Sequence, residues 1–284
     1  MATAAKRIGF AYNPTAEAAV DLRERAEGWC AMRGIDHWAL TAADLEGLRR
    51  ELPSTDALVV LGGDGTFLRA VRGAVESGTP LLGVNVGKVG FLSMVESDGL
   101  DRVLGQLAAG EYEIEERMGL EGRILRGGRG ASTAERYVAL NDVVVARGSL
   151  ARVCRLDVSI DDSHLATFIA DGLVVASPTG STGYSFSAGG PIVAPATRNL
   201  IVTPIAGYLS AIRSIVVEPT RVVRCRVQDA YEALVSIDGR EDIPIAVGDV
   251  VEVRAIEAPI RFVQPNGAVP FWDLVRHKVE LLPS

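Results

Sequence analysis

Residues 57–71 read Ala57-Leu58-Val59-Val60-Leu61-Gly62-Gly63-Asp64-Gly65-Thr66-Phe67-Leu68-Arg69-Ala70-Val71. The opening apolar run is strand-sized and has no polar alternation, so it predicts a strand buried on both faces, as in a parallel sheet. Residues 66–76 carry a helical pattern. The glycine-rich turn between them therefore lies at the carboxyl end of a strand in an open α/β sheet, where ligands bind. Gly62 and Gly63 let backbone N–H groups face phosphate oxygens without side-chain interference. Thr66 can cap the helix, whose amino end favours anions. Asp64 is the sole charge in the turn. A carboxylate beside a phosphate is repulsive unless it takes a proton from a hydroxyl nucleophile or helps hold Mg²⁺. The bland alternative is a tight turn with Asp64 as a helix cap. Arg69, expected in the first helical turn, either reaches a phosphate or lies on a solvated face. The string is neither a Walker A loop nor a G-x-G-x-x-G loop.

Outward from this stretch, strands and helices alternate. Residues 8–12 predict a strand, and residues 16–33 a helix with Ala19, Leu22, Ala26 and Trp29 on one face and Gly34 after its end. A short strand follows at 36–40, then a helix started by a Thr41/Asp44 capping pattern and ended by Pro53. Residues 80–86 predict a strand and 98–109 a helix. This order implies an α/β domain with a mostly parallel sheet over residues 1–112. From about residue 113 the pattern changes. Leu156, Val158 and Ile160 alternate with polar residues, and strand-like runs recur at 137–145, 165–176, 200–205, 214–217, 222–227, 234–237, 250–256 and 260–263. They imply an all-β, sandwich-like domain over 113–265. Residues 271–281 regain a helical pattern, so the segment 266–284 is expected to pack back on the first domain.

A second glycine-rich strand end follows at Gly83-Val84-Asn85-Val86-Gly87-Lys88-Val89-Gly90-Phe91-Leu92, where Phe91 is either core or packs on a base. Asn141-Asp142 sets two polar residues inside an apolar strand, where they need partners: a ligand, or a bulge or cross-strand pair. The longest signal runs from Asp171 to Pro191. Between Ser177 and Gly190 it is dominated by hydroxyls and glycines, a composition suited to hydrogen bonding a nucleotide, with Tyr184 as a stacking face.

Composition narrows the field. Across 284 residues, 48% are hydrophobic and 23% charged, which is globular. No apolar stretch approaches the ~18–20 residues that span a bilayer, and the amino terminus lacks a leader's apolar region, so a cytoplasmic protein without membrane partners is expected. The net charge of -7 disfavours nucleic acid as a partner. Three scattered cysteines and three scattered histidines argue against a thiolate or H-E-x-x-H metal site.

These motifs, in this order, resemble the NAD kinase family: Gly62-Gly63-Asp64-Gly65-Thr66, the N-x-G-x-x-G-F loop within Gly83 to Leu92, Asn141-Asp142, and the segment from Asp171 to Pro191. The first is shared with lipid kinases and in part with phosphofructokinases, whereas the last is specific to NAD kinases. The resemblance implies phosphorylation of the 2′-hydroxyl of the adenosine ribose of NAD, at a site between the two domains. Asp64 would be the general base, with Gly62, Gly63 and Thr66 on phosphate. Gly65, Asn141, Asp142, Asp171, Thr179, Thr182, Gly183, Tyr184, Ser185, Phe186 and Ser187 would lie on or near NAD, with Phe91 a further candidate. Arg69 and Arg152 stand where the family places basic or polar contacts. The implied cofactors are Mg²⁺ or another divalent cation and a donor, ATP or polyphosphate, with the metal mainly on the donor phosphates rather than in a protein cage. A homodimer or homotetramer is implied. Two positions depart from the family pattern: Ala206-Gly207-Tyr208 replaces a Pro-His element, and Arg240, which either meets phosphate or faces solvent, stands where Gln is frequent. The competing readings are a lipid kinase of the diacylglycerol or sphingosine type, disfavoured by the polar 177–187 segment, and a non-catalytic nucleotide-binding regulatory module, disfavoured by the intact Asp64.

Overall fold

The computed structural model describes residues 3–87, 90–128, 134–149, 152–208 and 212–280. In chain order the elements are β1 (Arg7–Tyr12), α1 (Glu17–Ala31), β2 (Asp36–Thr41), α2 (Leu45–Glu51), β3 (Ala57–Leu61), α3 (Asp64–Ala74), β4 (Leu81–Asn85), β5 (Val95–Glu96), α4 (Leu100–Ala109) and β6 (Tyr112–Arg117). Then come β7 (Leu120–Leu125), β8 (Glu135–Ala139), β9 (Asp142–Arg147), β10 (Cys154–Ile160), β11 (Ser163–Ala170), β12 (Gly172–Ala176) and α5 (Tyr184–Ser187). The last are β13 (Leu200–Ile205), β14 (Ile215–Val217), β15 (Val223–Asp229), β16 (Ala233–Ile237), β17 (Glu241–Ile245), β18 (Val250–Ala255), β19 (Ile260–Pro265) and α6 (Phe271–Glu280). The chain divides into two compact units: residues 1–116 with 258–284, and residues 117–257.

The first unit is built on a sheet of order β2-β1-β3-β4-β19-β6, with β5 also on β4. The pairs β1–β2, β1–β3, β3–β4, β4–β5 and β4–β19 are parallel. Every residue of β3 is buried, as its unbroken apolar run requires. Leu22, Ala26 and Trp29 of α1 pack into the core with Val59 and Leu61, and Ala19 on the same face is buried. Two local expectations change. Thr41 ends β2, and Asp44 is the cap of α2, accepting from the Gly47 N–H at 2.9 Å. The strand at Ile260–Pro265, expected among the β-rich runs, pairs with β4 instead, Phe262 opposite Leu81. Its apolar pattern fits either sheet, and only packing decides: Phe262 stacks on Phe67 of α3 at 5.1 Å between ring centroids. In the same unit Phe271 of α6 meets Phe91 at 6.4 Å.

The second unit is an antiparallel sandwich of two six-stranded sheets, β11-β10-β15-β18-β7-β8 and β14-β13-β12-β9-β16-β17. Inward residues of both sheets, among them Leu120, Val143, Leu156, Val175, Val202 and Val251, form one core. Two runs expected as single strands are each two. The run 137–145 breaks at Leu140-Asn141, leaving β8 in one sheet and β9 in the other, and the run 165–176 breaks likewise at Asp171 between β11 and β12. Apolarity continues through both corners because both sheets face the same core. The break shows in sequence only as a polar residue, and both corner residues are candidate ligands.

Phe262→Ala is expected to cost about 3–5 kcal/mol, through the cavity left against Phe67. Urea unfolding followed by circular dichroism measures it. A change near zero would mean that this strand does not complete the first sheet.

Candidate functional site

In the first unit the chain leaves β3 through Gly62-Gly63, and α3 begins at Asp64 with Gly63 as its cap. Thr66 is thus the third helical residue and not the cap. The N–H groups of Gly63, Asp64 and Gly65 have no partner among the described residues. Unpaired amides at the start of a helix form an anion site. The Asp64 carboxylate does not hang free beside them: Oδ2 accepts from the Phe91 N–H at 3.0 Å and Oδ1 from the Leu92 N–H at 3.1 Å. Ser93 adds a bond from Oγ to the Gly62 carbonyl at 3.2 Å. The two glycine-rich loops are thereby fastened together, and each carboxylate oxygen keeps lone-pair capacity for a further donor. Gly90 is required here by space, because a Cβ on it would lie 1.9 Å from Asp64 Oδ1. Lys88 and Val89 of the second loop lie outside the described residues.

In the second unit, Asn141-Asp142 and the segment from Ser177 onward are held against each other. The Ser177 hydroxyl donates to the Leu140 carbonyl at 2.5 Å and accepts from the Gly180 N–H at 3.1 Å, while the Ser177 N–H reaches the Asn141 carbonyl at 2.8 Å. Approach is so close at Gly180 that a Cβ would fall 2.1 Å from the Asn141 carbonyl oxygen. A short 3-10 turn, Thr179–Thr182, and the one-turn α5 follow. A Cβ on Gly183 would stand 3.8 Å from Asp142 Oδ2 and 4.0 Å from Asn141 Nδ2, so both side chains border this turn. Buried polar groups normally have partners, yet Asn141 Oδ1 and Thr179 Oγ1 are buried and have none among the described residues. These two atoms, next to a buried carboxylate, mark where a polar ligand would complete the site.

Comparison with known proteins bears on what that ligand is. Residues 4–112 match the ATP-NAD kinase N-terminal domain and residues 140–265 the ATP-NAD kinase C-terminal domain. The chain is 38% identical to the NAD kinase of Heliobacterium modesticaldum over 281 residues, covering 96% of this chain and 98% of that protein. With the NAD kinase of Moorella thermoacetica it shares 42% identity over 231 residues, 81% of this chain and 73% of the relative. This chain belongs to the NAD kinase family. Two solved structures share the fold. Yeast NADH kinase complexed with NADH superposes with a TM-score of 0.82 at 22% identity, over 98% of this chain and 88% of that one. An Archaeoglobus fulgidus NAD kinase in complex with ATP gives 0.77 at 24%, over 98% and 100%.

Among the residues that the NAD kinase motifs single out, Asp142, Thr179 and Ser185 are buried, Asn141, Thr182 and Gly183 half-buried, and Tyr184, Phe186 and Ser187 exposed. Ser185 faces inward, 3.4 Å from the Thr203 hydroxyl, which in turn meets Ser214. Asp171 is engaged by Arg147 through Nε at 2.8 Å and Nη2 at 3.2 Å. The Arg152 guanidinium lies over the Tyr231 ring at 4.8 Å. In the first unit, Arg69 is exposed on the second turn of α3, not the first, and the Phe91 ring meets Phe271 and, at 5.3 Å, the Lys278 ammonium. A cleft of about 760 Å³ opens at the opposite, amino ends of β3 and β4, lined by Thr55, Asp56, Thr79 and Arg261. There Asp56 already accepts from the backbone of Lys6 and Arg7, and Thr79 donates to the Leu52 carbonyl.

Sequence reasoning left Arg147 and Asp238 out of this architecture, and named Ser177 only within the hydroxyl-rich segment, not as the residue that fastens it to Leu140. Asp238-Gly239 turns the chain between β16 and β17, with positive φ at both residues. The Asp-Gly pair was a legible hairpin signal, but nothing local shows where its carboxylate goes. Among the described residues no three acids, imidazoles or thiolates gather as a metal cage.

Burial, and secondarily the nearby Asp238, push the Asp142 carboxyl from its ordinary 3.8 up to about 7. Between those values the folded chain holds a proton that the unfolded chain has released. Stability therefore falls as pH rises through that window and stays low above it. Asp142→Asn is expected to stabilise the chain by up to about 4 kcal/mol at pH 8 and by little at pH 4, read by thermal unfolding at both pH values. An effect independent of pH would refute the buried charge.

Proposed function

We propose that this chain transfers the terminal phosphoryl group of ATP to the 2′-hydroxyl of the adenosine ribose of NAD, giving NADP and ADP. The observation that carries the reading is the carboxylate of Asp64 beside unpaired amides at the start of α3. In the reaction the ribose O2′ attacks the γ-phosphorus and the bond from that phosphorus to the β,γ-bridging oxygen breaks. The hydroxyl proton passes to Asp64, and ADP carries away the bridging oxygen. The phenylalanine and leucine N–H groups that grip the carboxylate hold it in one orientation. Most of the acceleration in phosphoryl transfer comes from positioning and electrostatics, with ~10²–10⁴-fold from the base. The unpaired amides of Gly63, Asp64 and Gly65 suit phosphate oxygens. Asn141, Asp142 and Thr179 offer the acceptors and donors that the hydroxyls and edges of a dinucleotide require, and Tyr184, 46% exposed, offers a ring face.

ATP is the favoured donor, supported by the family name and by the ATP complex of the archaeal relative; polyphosphate is the alternative. Magnesium enters as part of the donor substrate, on the phosphates whose developing charge it neutralises. A cytoplasmic location accords with three buried, unbridged cysteines. A homodimer or homotetramer rests on the resemblance to the family.

Purified protein incubated with NAD, ATP and Mg²⁺ is expected to form NADP, detected with an NADP-specific dehydrogenase. Asp64→Asn is expected to lower kcat by ~10²–10⁴-fold while NAD affinity by calorimetry changes little. Normal kcat with weakened NAD binding would sink the base assignment. NAD binding without turnover in the wild type would favour a non-catalytic module.

A further inference from the structure

We infer that Asp238 is a positioning residue for NAD: its carboxylate gathers the backbone of Leu140, Asn141 and Asp142 and so sets how the Asn141 and Asp142 side chains meet the substrate. The inference rests on the function proposed above. Oδ2 accepts from the Leu140 N–H at 2.9 Å, and Oδ1 accepts from the N–H groups of Asn141 at 2.7 Å and Asp142 at 3.2 Å. The Asp238 N–H returns a bond to the Asp142 carbonyl at 3.0 Å. Asp238 holds a left-handed φ of +52° to do this. On the other side the Asn141 carbonyl accepts from the Ser177 N–H at 2.8 Å. The corner peptides are thus fastened from both sides, while Asn141 Oδ1 is buried with no partner among the described residues.

A hairpin turn alone does not call for this carboxylate. Asparagine serves the left-handed position at least as well, and a second buried acid beside Asp142 is electrostatically unfavourable. Burial raises the Asp238 carboxyl against the pull of its three N–H donors and of Arg240, and Asp238 in turn raises Asp142. What asparagine lacks is a second acceptor oxygen. With one oxygen it serves the two N–H groups now on Oδ1 and turns an amide N–H toward that of Leu140. The acid is explained by the need to accept all three donors at the corner where the chain passes from β8 to β9.

The test is steady-state kinetics of the full chain, wild type against Asp238→Asn and Asp238→Ala, with NAD and ATP varied separately between pH 5.5 and 9. For Asp238→Asn the KM for NAD is expected to rise about tenfold, with kcat at saturating NAD and KM for ATP little changed. Charged groups facing Asp142 are Asp238 and, beyond it, Arg240. Removing the Asp238 charge favours ionised Asp142, so the acid limb of kcat/KM for NAD is expected to move to lower pH. A clamp that acts only on folding would lower stability without separating the KM for NAD from kcat and the KM for ATP. Asp238→Ala is expected to raise KM further, and if it does not fold, the isosteric Asn variant carries the test. The proposal is overturned by an unchanged KM for NAD, by an unmoved acid limb, by parallel losses in kcat, both KM values and stability, or by an Asn variant that does not fold. Wild-type protein that forms no NADP would instead overturn the function on which the proposal rests.

Discussion

Wherever the chain leaves a sheet, backbone N–H groups lose their ladder partners, and a buried amide without an acceptor is costly. This protein meets that constraint with side-chain carboxylates at the places where its motifs lie. Asp64 takes the N–H groups of Phe91 and Leu92 in the first unit. Asp238 takes those of Leu140, Asn141 and Asp142 in the second. A carboxylate suits this work because two oxygens offer about four acceptor sites without a competing donor. The loops so fastened are held from a rigid base.

The same solution creates tension. Fastening Asn141-Asp142 with Asp238 sets two acids together in a poorly solvated corner, which holds Asp142 near neutrality. Stability is lost to keep a polar group in this corner. The unpaired Oδ1 of Asn141 and Oγ1 of Thr179 belong to the same pattern. Stored cost of this kind is ordinary at binding sites. Elsewhere the second unit is conventional, with hydrophobic inner faces and an outer face laced by ion pairs such as Arg224–Glu252 at 2.6 Å and Arg254–Glu121 at 2.8 Å.

Much of the fold was legible because its signals are local. The apolar run of β3, the one-sided face of α1 and the alternation of β10 each follow from period and length. The glycine-rich turns were legible for the same reason, since close backbone approach restricts residue choice at the position itself. Errors fell where a local pattern admits two partners. The runs 137–145 and 165–176 keep their apolarity while changing sheets, and Ile260–Pro265 joins the parallel sheet although its pattern fits the other.

The sequence by itself determined the class of each half, the glycine-rich strand ends and the residue types at the corners, because these depend on contacts between near neighbours. Only the tertiary structure decided which acid holds which loop. Asp64 meets residues 27 and 28 positions away, and Asp238 meets a corner 96 to 98 positions away. Pairings at such separations are set by the packing of whole sheets, which brings together groups whose own sequence contexts carry no mark of each other.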